Sequence, residues 1–150
     1  MSYRFIYLDK TQQKIPRRYF LFVLEKFLKI MLPGKTVEVN LILIGQSAIK
    51  KLNYQYRKKD YSTDVLSFPI DIVTPKEKKK CKDLILGDIY IAPDFVKKIE
   101  SPKNKKDLIK KLQFLFLHGL LHLSGYDHET DRKERRWNKL AKMILPSLHR

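Results

Sequence analysis

The stretch HGLLHLSGYDH, from His118 to His128, holds three of the four histidines in the chain. On a helix, positions four apart differ by about 40° in rotation, so His118 and His122 project from one face. Phe114, Leu115, Phe116, Leu117, Leu120, Leu121 and Leu123 surround them and predict a helix buried over most of its circumference. Imidazoles in such surroundings each need a hydrogen-bond partner or a metal. Gly125 then supplies the residue that most readily takes the left-handed conformation capping a helix. With Gly125 in that role, Tyr126 folds back against Leu121, and the reversed chain brings His128 toward the first two rings. Three neutral imidazoles converging on one point make a zinc site, and its fourth position stays open to water. An open position belongs to a catalytic metal.

A lone histidine on an apolar helix is ordinarily a satisfied core residue, and HxxxH alone says little. Offsets of four and then six, with glycine between, form a far rarer pattern. The spacing is that of the metzincin proteases, whose zinc helix reads HExxHxxGxxH. Gly119 occupies the position of the glutamate that acts as general base in peptide hydrolysis. Asp127 lies past the helix end and does not replace it. A protease is therefore disfavoured.

The full stretch resembles the signature HGxLHLxGYDH of the YbeY-like endoribonuclease family, the bacterial rRNA maturation factors. It matches at His118, Gly119, Leu121, His122, Leu123, Gly125, Tyr126, Asp127 and His128. A second block, LNYQYRKKDYSTDVLSFP (52–69), resembles the family pattern of an arginine followed by TDVLSFP. A third, LGDIYIAPD (86–94), is similar to its LGDI strand. The resemblance implies a zinc-dependent, single-strand-specific endoribonuclease of small-subunit (16S) rRNA maturation and ribosome quality control. It implies a cytoplasmic protein, with rRNA and the small ribosomal subunit as partners. The family's metal-binding histidines carry over to His118, His122 and His128, for one zinc per chain. Its functional arginine carries over to Arg57, so Arg57 and His118 are the catalytic residues of this reading. The alternative is a non-catalytic zinc protein that binds rRNA during ribosome assembly.

Such a zinc would lower the pKa of a bound water toward ~7 and polarise a phosphoryl oxygen. Arg57, planar and permanently charged, suits the negative charge that builds on a phosphodiester under attack. By its local sequence alone, Arg57 is a solvated cation at a helix end. Asp64 and Ser67 in STDVLSF are placed to orient the site, although Asp64 equally suits a turn. Asp88 is a carboxylate inside an apolar strand. It either faces solvent or hydrogen-bonds a ligating imidazole, with a structural role favoured. His149, one residue from the C-terminus, is a poor ligand.

These residues need elements to hold them. YRFIYLD (3–9), TVEVNLILI (36–44), VLSFPI (65–70) and LILGDIYIA (84–92) read as four strands. Pro69 places the end of the third at a sheet edge. A helix beginning near Pro16 carries Tyr19, Phe20, Val23, Leu24, Phe27 and Leu28 at helical spacing and ends at Pro33–Gly34. Ser47 caps a second helix reaching about Tyr56. Pro93 opens a short one that Ser101–Pro102 breaks. A long helix runs from about Asn104 to Ser124, and a last one, with Trp137 turned inward, covers roughly 130–145. KEKKKCK (76–82) reads as a solvated basic loop, and Cys81 in it as incidental. The sum is one α+β domain over residues 1–150: a small mixed four-stranded sheet with about five helices and a metzincin-like zinc helix.

Composition bounds the rest. Thirty-two Lys and Arg face 16 Asp and Glu, a formal net charge of +16. Half of the cations have no acid to pair with, which points to nucleic acid or a ribonucleoprotein surface. An anionic membrane is the weaker partner, because the basic runs do not form one amphipathic helix. No apolar run is long enough to span a bilayer, and no signal-peptide pattern opens the chain. A single cysteine excludes an intrachain disulfide and suits a reducing compartment.

Overall fold

A computed structural model describes residues 2–70, 75–126 and 130–146. Strands and helices alternate, and two more helices follow: β1 (Ser2–Asp9), α1 (Arg17–Met31), β2 (Thr36–Leu43), α2 (Gln46–Arg57), β3 (Val65–Pro69), α3 (Pro75–Lys80), β4 (Asp83–Ile91), α4 (Pro93–Glu100), α5 (Lys105–Leu123) and α6 (Asp131–Ile144). The sheet order is β1-β2-β4-β3. The first three strands in that order are parallel, and β3 lies antiparallel against β4 at the edge, as Pro69 requires. The α+β reading with a mixed four-stranded sheet therefore holds.

Both faces of the sheet are covered, unequally. The larger core packs α1, α5 and α6 on one face, around Phe5, Phe20, Phe27, Phe116, Ile89 and Leu120. The smaller core, Ile42, Ile44, Ile49, Leu66 and Ala92, seats α2 on the other, and α4 bridges the two, with Val96 in the first and Phe95 against the second. Successive residues of a strand point to opposite faces, so Ile89 and Ile91 serve the first core while Asp88 and Tyr90 face the second.

Two glycines let this packing close. The parallel ladder shifts register between Glu38 and Val39, opposite Leu86, the extra residue that precedes Gly87. Gly87 has φ 137°, and a Cβ there would run into the Phe68 carbonyl of β3. Gly119 lies where α5 presses on β4. A Cβ would meet three atoms of the Ile89 side chain at 2.9, 3.0 and 3.1 Å.

Three local expectations change. The basic stretch read as a loop contains α3, because proline opens it, Glu77 sits in its first turn, and lysine is a good helix former. That makes six helices among the described residues. Ser47 does not cap α2; Gly45 occupies the N-cap and no side chain bonds there. Pro16 stands at the N-cap of α1, one residue before the helix. The other caps follow the sequence: Asn104 Oδ1 accepts from the Asp107 amide at 2.8 Å, and Thr130 Oγ1 from the Lys133 amide at 3.1 Å.

Candidate active site

From Leu112 to Leu123, every residue of α5 is buried except Phe114, His118 and His122, which are half-buried. Their four-residue spacing makes one stripe open to solvent on an otherwise enclosed helix. The histidines are thus less buried than the apolar sequence around them predicts, because a cleft runs along that stripe. It measures about 290 Å³ and is lined by Arg57, Val65, Ser67, Pro69, His118, His122 and Leu123.

The imidazoles face one another, with Nε2 of His118 and Nε2 of His122 3.1 Å apart. One neutral ring donating to the other satisfies that distance. So does a shared cation: two nitrogens on a tetrahedral zinc, each at about 2.0–2.1 Å, lie about 3.3 Å from each other. The pair therefore fits a metal as two of its ligands. Trp137 of α6 backs both rings, with centroids 4.8 Å from His118 and 5.0 Å from His122. The residue is 4% exposed, so the indole meets both imidazoles from within the core. The inward anchoring of Trp137 was legible from the helical period of α6. Its contact with the histidines was not, since it joins two helices.

The helix ends as Gly125 requires. Gly125 has φ 92°, its amide donates to the His122 carbonyl at 3.0 Å, and the Tyr126 amide donates to the Leu121 carbonyl at 3.0 Å. These are the two bonds of a Schellman cap, and Tyr126 packs against the main core. The chain therefore reverses beside the histidine pair. His128, the third expected ligand, lies outside the described residues, as do Asp127 and His149. Among the described residues, no group of three His, Cys, Asp or Glu converges as a metal site.

Arg57 comes to the same cleft from the far side. It is the last residue of α2, and Lys58 follows in the left-handed conformation with φ 58°. The Arg57 guanidinium donates to the Ser67 carbonyl of β3 at 3.4 Å, a long bond that leaves most of its donors open. Ser67 itself lines the cleft. Asp64 is not among the lining residues; its backbone carbonyl accepts from the Ala92 amide at 2.9 Å and joins β3 to the end of β4.

Asp88 stands elsewhere. It faces the second core and accepts from Asn40 Nδ2 at 2.8 Å, beside Leu52, Tyr56, Phe68 and Tyr90. A sheet separates it from α5, which excludes hydrogen bonding to His118 or His122 and supports the structural role. Tyr90 stands beside that carboxylate. Burial first, then the Asp88 charge, raises its phenol pKa.

A helix, an arginine and a serine on three different elements thus share one cleft. Residues 7–149 match the family described as Endoribonuclease YbeY. The chain belongs to that family. An Endoribonuclease YbeY of a Sulfurovum species is 44% identical over 99 residues, which make up 66% of this chain and 65% of the relative. Another, from Acetivibrio thermocellus, is 34% identical over 157 residues and covers 96% of each chain. A solution structure from Thermotoga maritima is similar at TM-score 0.53 and 26% identity, covering 95% of this chain and 89% of that one. The span matched to the endoribonuclease YbeY family includes every residue that lines the cleft.

Proposed function

We propose that this chain, as a single domain, is a zinc-dependent endoribonuclease specific for single strands, acting in the cytoplasm on small-subunit rRNA during maturation and quality control of the ribosome. His118, His122 and His128 are its metal ligands, one zinc per chain, and Arg57 and His118 its catalytic residues. The observation that carries the reading is the pair of Nε2 atoms at 3.1 Å in the same cleft as Arg57. Membership of the endoribonuclease YbeY family supports RNA as the substrate class, and the net charge of +16 suits it.

Zinc held by these histidines would supply Lewis acidity and would lower the pKa of a bound water. The remaining work belongs to the chain. His118 and His122 are oriented, each by the other ring and by Trp137. Arg57 presents its guanidinium across the cleft, where it binds non-bridging oxygens of the scissile phosphate in two-point fashion. The Ser67 carbonyl keeps that fork turned toward the cleft. Val65, Pro69 and Leu123 line the walls with apolar surface, which strengthens the electrostatics inside. Peptide hydrolysis finds no such support, because position 119 points at Ile89 and leaves no room for a carboxylate.

The test is single-turnover cleavage of rRNA fragments at saturating RNA by metal-loaded protein, with zinc analysis and a binding titration alongside. Arg57→Ala is expected to keep fold, zinc and RNA affinity while cleavage falls roughly 10²–10³-fold, the usual loss on removing one stabilising donor. Arg57→Lys recovers only part, since an ammonium lacks the planar fork. A collapse of affinity with an unchanged saturated rate makes Arg57 a binding residue instead. Absence of metal-dependent cleavage in the parent protein favours a non-catalytic rRNA-binding assembly factor.

A further inference from the structure

A second and wider cavity, about 530 Å³, opens between the start of α1 and the first turns of α5. Arg18, Lys105, Lys106 and Lys110 line it, together with Tyr19 and Gln113. No carboxylate is among its lining residues, and none of the four cations takes part in the ion pairs of the described residues. We infer that this cavity is an exosite for the phosphate backbone of single-stranded RNA, an inference that rests on RNA being the substrate. Lys110 precedes His118 by eight residues, about 12 Å along the helix, so the exosite is distinct from the cleft.

Four like charges around one concavity repel each other and raise the local potential, which a polyanion relieves. The start of α1 adds to that field. Pro16 at its N-cap offers no capping side chain, and its first turn holds no acidic residue. Within that turn nothing offsets the positive end of the 15-residue helix; the Asp9 carboxylate bonds the Ile15 amide just ahead of it.

The walls are also built to stay in place. Both Asp9 carboxylate oxygens hold the loop before α1: Oδ1 accepts from the Thr11 amide at 2.9 Å and Oδ2 from the Ile15 amide at 3.0 Å. Gln113, 8% exposed, donates to the Tyr19 carbonyl at 2.9 Å and ties α5 to α1. The Arg18 guanidinium lies over the Tyr19 ring, 4.6 Å from its centroid, and donates to the Tyr19 hydroxyl at 3.1 Å. A cation held this way has less freedom to lose on binding. Lys105 and Lys110 are spread about 7.5 Å along the helix, which suits a chain of phosphates better than a single one. The site offers charge without base-edge geometry, so it positions RNA without reading its sequence.

The experiment compares two triple variants of the full chain with equal change in charge. One carries Lys105→Glu, Lys106→Glu and Lys110→Glu. The other carries Lys51→Glu, Lys97→Glu and Lys98→Glu, on α2 and α4, none of which lines the cavity. Each is titrated into a fluorescein-labelled single-stranded oligoribonucleotide at several salt concentrations, with anisotropy as the readout. The cavity variant is expected to bind roughly 10-fold or more weaker near physiological salt, and to lose about 2 from the slope of log affinity against log salt. The control keeps the parent slope. Glutamates in the first turn of α5 favour the helix dipole, and a milder triple Lys→Gln variant gives the same reading if the first does not fold. Equal losses in both variants overturn the exosite and leave the RNA reading standing. A parent protein that binds no RNA overturns both.

Discussion

Along α5, Lys105, Lys106 and Lys110 are exposed, whereas Leu112–Leu123 is buried except for the stripe of Phe114, His118 and His122. Both halves carry ionisable side chains, yet they constrain them differently. A lysine in water keeps its hydration and acts through its field, so its exact placement matters little. An imidazole in a half-buried cleft gives up hydration and must find partners at fixed positions. The same helix therefore holds a tolerant electrostatic end and an intolerant chemical end.

The sharpest break of that contrast is Gly119→Glu. It forces side-chain atoms into Ile89, which approaches a Cβ to 2.9 Å, and buries a carboxylate without a partner. A loss above about 4 kcal/mol is expected, a large share of the roughly 5–15 kcal/mol that holds a typical domain folded. Circular dichroism on heating reads this directly. A stable Gly119→Glu protein would mean that α5 does not press on β4 as described.

Next come His118→Ala and His122→Ala. Each is expected to abolish bound zinc by metal analysis of the purified protein, while His149→Ala keeps one zinc per chain. Retention of zinc in either of the first two would remove the chemical end of the helix from the comparison. Gly125→Val tests the cap that ends it. A β-branched residue at φ 92° costs of order 1–3 kcal/mol, and zinc affinity should fall with stability because the following chain loses its direction. Unchanged zinc affinity in a folded Gly125→Val protein would count against that geometry. The smallest effect belongs to Lys106→Glu at the tolerant end. It is expected to lie within about 0.5 kcal/mol of the parent in a denaturant melt.

What the sequence disclosed follows the range of the interactions involved. α5 and its end were legible because period, N-cap and Gly125 act within a few residues of one another. The strands, and the edge position of β3, were legible for the same reason. The meeting of Arg57 with the histidines was not readable from local pattern. It depends on β3 pairing antiparallel with β4 and on α2 delivering its last residue beside Ser67, and only family resemblance pointed to it. Trp137 against both imidazoles was missed likewise, as an α5–α6 contact. Asp88 was ambiguous because alternation gives a face but not what covers that face, and its partner Asn40 lies 48 positions away. The lysine run hid α3, since high charge resembles a loop while lysine itself favours helix.

Trp137 has one further consequence. It is the only tryptophan in the chain, so the intrinsic ultraviolet emission of the protein above the tyrosine band comes from a single indole. That indole lies 4.8 and 5.0 Å from the two imidazoles. Anything that protonates, metallates or displaces those rings alters the emission of this one fluorophore. Occupancy of the cleft is therefore written into the unlabelled protein as an optical signal, readable in a cuvette during turnover.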